Sequence, residues 1–159
     1  MTSRLKAYLA APLFNCRERD FNEAVSGLLS PYVDVFVPQR DGYLLSDMIA
    51  AGVPLVVAER RIFEQDTRAM ADADFLVAIL DGAAIDDGVA FEIGFMRALG
   101  KRCVALQTDV RRALPSGNNP MIGQALESLF HEIDELVVWV KAHASADAPR
   151  QSDPWRNTA

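Results

Sequence analysis

Apolar runs short enough for strands alternate along this 159-residue chain with longer stretches patterned for helices, and that alternation restricts the fold more than any other feature. Leu5–Ala10 is an apolar run ended by Ala11-Pro12 and reads as a buried strand. Arg17–Leu29 sets Phe21, Ala24, Val25, Leu28 and Leu29 on one helical stripe, which Ser30-Pro31 stops. Val33–Val37 is β-branched and aromatic and is closed by Pro38. Leu44–Ala51 and Val56–Ala71 pattern as helices, the second charged on its outer face. Phe75–Leu80 is the clearest buried strand. Asp86–Leu99 follows as a helix with acids at its start and Gly100-Lys101 at its end, and Cys103–Gln107 is another apolar strand.

The last third is less regular. Arg111–Asn119 reads as a polar loop, Met121–Ser128 as a helix, Leu129–His131 as a short final strand and Glu132–His143 as a closing helix. Leu136–Val140 suits a strand equally well, which periodicity alone does not decide. From Ser145 onward the chain holds two prolines and few apolar residues, so 145–159 reads as a loose tail behind a single domain, 1–144.

Strands separated by helices imply βαβ units with right-handed crossovers. The expected fold is α/β and doubly wound, a five-stranded parallel sheet with helices on both faces. Such sheets bind ligands at the carboxyl ends of their strands. Four places answer to that rule: Ala10–Asn15, Pro38–Gly42, Asp81–Gly88 and Gln107–Met121.

Composition narrows what those loops can do. Half of the residues are apolar, enough for a real core, and the formal charge of −6 disfavours a nucleic-acid partner. Cys16 and Cys103 are too few and too far apart for a disulfide framework or a metal cluster. The start is interrupted by Pro12 too early for a signal peptide, and no run of about 18 apolar residues exists to span a membrane. The expectation is a soluble, cytoplasmic protein.

No GxGxxG follows the first strand and no GxxxxGK[ST] occurs, which disfavours dinucleotide and P-loop binding. The two histidines, His131 and His143, lie late in the chain, so a Ser-His or Cys-His nucleophile and a zinc set are disfavoured as well. Carboxylates remain. The richest segment runs from Asp81 to Gly94. Asp86 and Asp87 stand at a helix start, where backbone N–H groups favour negative charge. Glu92 follows about one and a half turns later among Val89, Ala90, Phe91, Ile93 and Phe95, a setting that desolvates it partly. The plain alternative is that Asp86 caps the helix and Glu92 faces solvent. Gly88 and Gly94 speak against it, since glycine inside a helix suggests the close approach of another backbone or a ligand. Asp66, in Glu64-Gln65-Asp66, is either part of a solvated helix face or, if that helix points its middle inward, part of the site. Tyr8 is core or active site on pattern alone; Phe14 flanks the same strand end, and Asn118-Asn119-Pro120-Met121 is a polar turn.

These residues resemble the nucleoside 2-deoxyribosyltransferases over residues 5–143. The marks are Tyr8-Leu-Ala-Ala-Pro-Leu-Phe14, the acidic helix leading into Met70–Leu80, the Asp-x-Gly-x-x-x-Glu-x-Gly run of Asp86–Gly94 with Ala98-Leu-Gly-Lys101, and Asn119-Pro-Met121. Ala11 departs from the family's glycine. The resemblance implies a flavodoxin-like sheet, Glu92 as the nucleophile at C1′ of a deoxyribose, and Tyr8 as the phenol that positions it. It implies that Asp66 and Asp86 contact the base and that one of them protonates it on leaving. Phe14, Gln39 and Gly88 are implied at the substrate, with Asn119 and Met121 reaching a neighbouring subunit's site in a homo-oligomer, a dimer or a hexamer. The substrates implied are 2′-deoxynucleosides and free purine or pyrimidine bases. No metal or cofactor is implied, because the base departs as a neutral heterocycle.

Two other readings share this scaffold. A (deoxy)nucleoside 5′-monophosphate N-glycosidase would need a phosphate site, for which Arg17, Arg19, Arg111, Arg112, Ser116 and Gly117 are the candidates. A non-catalytic nucleotide sensor would have no need of a buried carboxylate such as Glu92.

Overall fold

The computed structural model of the chain describes residues 4–109 and 117–145. Five parallel strands form one sheet in the order β2-β1-β3-β4-β5, the flavodoxin-like order of doubly wound folds. They are β1 (Lys6–Ala10), β2 (Asp34–Phe36), β3 (Phe75–Ile79), β4 (Arg102–Leu106) and β5 (Ser128–Phe130). The helices are α1 (Cys16–Leu29), α2 (Pro38–Asp41), α3 (Leu45–Ala50), α4 (Leu55–Asp72), α5 (Asp87–Ala98), α6 (Pro120–Gly123) and α7 (Ile133–Ser145).

The two-residue period of the strands sorts their side chains into two cores. Ala7, Leu9, Phe75, Val77, Ile79, Val104 and Leu106 face α1 and α7, meeting Val25, Leu29, Leu136 and Val140. Tyr8, Ala10, Leu76, Ala78, Cys103 and Ala105 face the other way, toward Met70 of α4 and Val89, Ile93 and Met96 of α5. On that second face the register aligns Ala10, Ala78 and Ala105 in a row across three strands. Methyl-sized side chains there let α5 settle close above the carboxyl ends of the sheet, which is where it carries Glu92.

Helix ends follow local chemistry. Asn15 and Glu18 form a capping box at the start of α1. Gly100 takes φ +69 just past α5, a left-handed turn that side chains avoid. The adjoining Lys101 reaches back across the fold, and its ammonium donates to the carbonyls of Met70 (3.2 Å), Ala71 and Ala73 at the end of α4. The Gly-Lys pair therefore ends one helix and caps another.

Several expectations are corrected. Pro38 does not merely close β2; it opens α2, as proline at a first helical position can. The helix expected over Met121–Ser128 is one turn, α6, because the Glu127 amide already donates to the Cys103 carbonyl and draws the chain into the sheet. Leu136–Val140 is helical: Leu136 and Val140 are buried four residues apart while Val138 between them is 67% exposed. Among the described residues no backbone from outside its helix approaches Gly94, where an added β-carbon would meet nothing within 4 Å. Ser145 is still in α7; the rest of the expected tail, like residues 110–116 of the loop with Arg111, Arg112 and Ser116, lies outside the described residues.

Candidate active site

Four of the side chains singled out in the sequence, Tyr8, Asp66, Asp86 and Glu92, meet at the carboxyl edge of the sheet, on the face covered by α4 and α5. Tyr8 is fully buried, its ring stacked at 5.5 Å on Phe36 of the adjacent strand. Its phenol donates to Oε1 of Glu92 at 2.7 Å. The ring of Tyr8 thus belongs to the core, while its hydroxyl is turned to Glu92. Glu92 is half-buried on α5, and no other protein group bonds its carboxyl among the described residues. One oxygen is held by the phenol and the other is left open.

The electrostatics follow from burial. Desolvation pushes the Glu92 carboxyl from its ordinary 4.5 up to about 8, with Asp66 and Asp86 adding to the rise and the Tyr8 hydrogen bond opposing it. Desolvation also raises Asp66 from 3.8 to about 6. The Tyr8 phenol is driven far above its usual range by its own burial, by Glu92 and by Asp66, so it stays neutral and can only donate to a carboxylate. Asp66 projects from the middle of α4 toward this pair, half-buried and without a hydrogen-bond partner among the described residues. The inward-pointing alternative holds for it.

Asp86 caps α5 through Oδ1, which accepts the Val89 amide at 3.1 Å. The capping alternative is therefore right for Asp86, and the solvent-facing one is wrong for Glu92. Capping and a place in the site do not conflict, because Asp86 still raises the Glu92 carboxyl electrostatically. Its neighbour Asp87 is exposed. Gly88 has a direct reason to be glycine: a β-carbon there would stand 3.0 Å from the capping oxygen of Asp86.

The remaining positions are scattered. Phe14, in the loop after β1, and Met121, in α6, are 75% and 80% exposed. Asn119 caps α6 by accepting the Met121 amide at 2.9 Å. Gln39 is turned onto α1: its Nε2 donates to the Arg19 carbonyl and to Glu23, each at 3.0 Å, and its Oε1 accepts from Asn22 at 3.0 Å. The structure brings Tyr8, Asp66, Asp86 and Glu92 together; it does not bring Gln39 to them.

Three further residues lie in the loops that the sequence pointed to, without individual roles assigned to them there. Gly42 lies against Asp66; the Asp41-Gly42 pair was its only sequence signal. Asp81 accepts from the Thr108 hydroxyl and the Asp109 amide, both at 2.7 Å, tying the loop before α5 to the loop after β4. Gln107, buried at the end of β4, exchanges two amide hydrogen bonds with Asn118 at 3.1 and 3.0 Å. A polar residue ending an apolar strand was the available hint. Among the described residues no three His, Cys, Asp or Glu side chains group as a metal-ligand set, and no helix is long and apolar enough to cross a membrane.

Fold and geometry together define an α/β protein of flavodoxin-like topology with a carboxylate held by a phenol at the carboxyl edge of its sheet. The profile of the nucleoside 2-deoxyribosyltransferase family matches residues 7–139, and the chain belongs to that family of glycosyl-handling enzymes. A search of curated protein sequences finds no match. Among solved structures it is similar to a conserved protein from Enterococcus faecalis V583, at 26% identity and a TM-score of 0.66, over 89% of this chain and 99% of that one. A 2-deoxyribosyltransferase from Bacillus psychrosaccharolyticus shares the fold at 22% identity and a TM-score of 0.70, over 87% of this chain and 95% of that one. One from Leishmania mexicana does so at 21% identity and a TM-score of 0.60, over 87% and 98%.

Proposed function

We propose that this enzyme exchanges the base of 2′-deoxynucleosides through a covalent 2-deoxyribosyl ester on Glu92, with net retention. The observation that carries the reading is the 2.7 Å hydrogen bond from Tyr8 to one oxygen of Glu92, which leaves the other free beside Asp66. The free oxygen attacks C1′ as the bond from C1′ to the base nitrogen breaks. That electron pair goes to the base, which takes a proton from Asp66, whose carboxyl burial raises to about 6. An incoming base then attacks C1′ from the vacated face, the Glu92 ester oxygen leaves as carboxylate, and the proton lost by the new base returns to Asp66. Two inversions give retention. Asp86 contacts the base from the start of α5.

An unphosphorylated substrate is favoured by the first loop. Glu18 Oε2 accepts the amides of Phe14 at 2.7 Å and Asn15 at 3.2 Å. Those N–H groups at a helix start are the kind that would otherwise cradle a phosphate. A carboxylate already occupies them.

The same reading makes the enzyme a homo-oligomer, dimer or hexamer, in which Asn119 and Met121 of one copy reach the site of another. Exposed Met121 supports it, as do Phe63 of α4 and Phe91 of α5, half exposed with their rings tilted against each other at 6.1 Å.

The test is chromatographic. Purified protein is given 2′-deoxyinosine with and without adenine, and deoxynucleoside 5′-monophosphates in parallel, with Glu92→Ala as control. Glu92-dependent 2′-deoxyadenosine supports the proposal. Free base released from monophosphates alone would replace it with the hydrolase.

A further inference from the structure

α2 is a single turn that ends at Gly42, whose amide donates to the Pro38 carbonyl at 3.0 Å. A β-carbon at position 42 would stand 2.6 Å from that carbonyl oxygen and 3.4 Å from Oδ1 of Asp66. The backbone there is ordinary extended chain, φ −100 and ψ −169, so left-handed freedom is not what the position needs. What it needs is the absence of a side chain.

The turn is held from both sides. Asp41 accepts the Val37 amide at 2.8 Å, and Gln65, the neighbour of Asp66 on α4, donates to the Asp41 carbonyl at 3.2 Å. Gly42 is thereby fixed as a bare stretch of backbone against an acid whose carboxyl has no hydrogen-bond partner among the described residues. Gln39, offered by the sequence for base contact in this same stretch, has its amide spent on α1.

We propose that Gly42 is the specificity-determining residue of the base-binding end of the site: the heterocycle docks at Asp66 across the bare Gly42 backbone, and the missing side chain admits a two-ring purine as well as a one-ring pyrimidine. The inference rests on the reading of Asp66 as the acid that meets the base. A methyl group at position 42 would project into the space beside Oδ1 of Asp66, where the edge of a larger ring system lies.

The test is equilibrium binding of free adenine and free cytosine to the full chain by titration calorimetry, with wild type, Gly42→Ala and Asp66→Asn. Gly42→Ala should weaken adenine by about tenfold or more and cytosine by only about threefold or less, the scale of steric discrimination between rings. Asp66→Asn should weaken both. Loss of both bases by the same factor in Gly42→Ala, no loss at all, or no binding of either base by wild type overturns the proposal. Should the crowding at Pro38 unfold Gly42→Ala, hydrogen exchange on the wild type decides: adenine should slow the amides of residues 39–43, and unchanged rates there overturn it. Because no turnover is measured, Gly42-dependent adenine binding without deoxyribose transfer would sink the exchange reaction and leave this inference standing.

Discussion

The Tyr8 phenol and Oε1 of Glu92 lie 2.7 Å apart although 84 positions separate them in the chain. β1 supplies the phenol and α5 the carboxyl, and the row of alanines between them lets helix and strand approach closely enough to share a proton donor. Tyr8→Phe keeps the ring, and with it the stacking on Phe36, and removes only that donor. We expect kcat to fall about 10²-fold, the loss typical of one preorganised donor, with the fold intact. Since the phenol's hydrogen bond lowers the Glu92 carboxyl, its removal should also move the alkaline limb of the rate profile upward. A pH–rate profile of Tyr8→Phe checks both.

The two raised carboxyls predict the shape of that profile in the wild type. Glu92 titrates about 8 and Asp66 about 6, and because they interact the two steps belong to the pair. Between them the pair holds one proton, which rests mostly on Glu92, and the reactive form is the minority one in which it sits on Asp66 and Glu92 is the carboxylate. Below that window both acids are protonated and no nucleophile exists; above it both are ionised and no acid remains. A bell-shaped kcat/KM with limbs near 6 and 8 is expected, and a flat profile across that range would contradict the pairing of roles.

Glu92→Gln should trade activity for stability. The Glu92 carboxyl ionises at 4.5 when exposed and about 8 when folded, so from 4.5 to 8 the unfolded chain releases a proton that the folded chain keeps. Stability contributed by the protonated acid is thus complete below 4.5 and lost progressively as pH rises through 8. Glutamine cannot ionise and escapes that loss. At pH 8.5 the variant should be more stable than wild type by roughly 2–4 kcal/mol, and at pH 4.5 little different, by urea denaturation. Turnover should be abolished while nucleoside still binds. Unaltered turnover would exclude Glu92 as the nucleophile, and nucleoside binding without turnover in the wild type as well would point instead to a sensor.

Lys101→Met isolates a purely structural part of the family pattern. The ammonium serves three carbonyls at the end of α4, the helix that carries Asp66. Methionine keeps the stem and removes the donors. The urea midpoint should drop by the equivalent of about 1–3 kcal/mol with an unchanged slope.

Legibility in the sequence divides along physical lines. Each of the five strands is covered by an expected strand to within a residue or two, because the contrast between buried runs and helical stripes is a local property of the chain. The start of α5 was legible from the pattern: the helix begins at Asp87, with Asp86 as its cap, where the acids and glycines place it. The short helices were not. α2 and the early end of α6 depend on contacts with other elements, Gln65 reaching the Asp41 carbonyl in one case and Glu127 pairing with Cys103 in the other.

By itself, then, the sequence determined the alternation of elements, the parallel sheet that follows from it, and the residue types at the carboxyl edge, since periodicity and helix-end chemistry are written within a few residues of one another. Tertiary structure alone decided which side chains meet. Tyr8 could have been core only, Asp66 a solvated face, and Gln39 a base contact; the order β2-β1-β3-β4-β5 and the seating of α4 and α5 over the alanine row turned the first two toward Glu92 and the third onto α1. Those meetings depend on packing between segments distant in the chain, and so does the desolvation that raises Glu92 and Asp66 together.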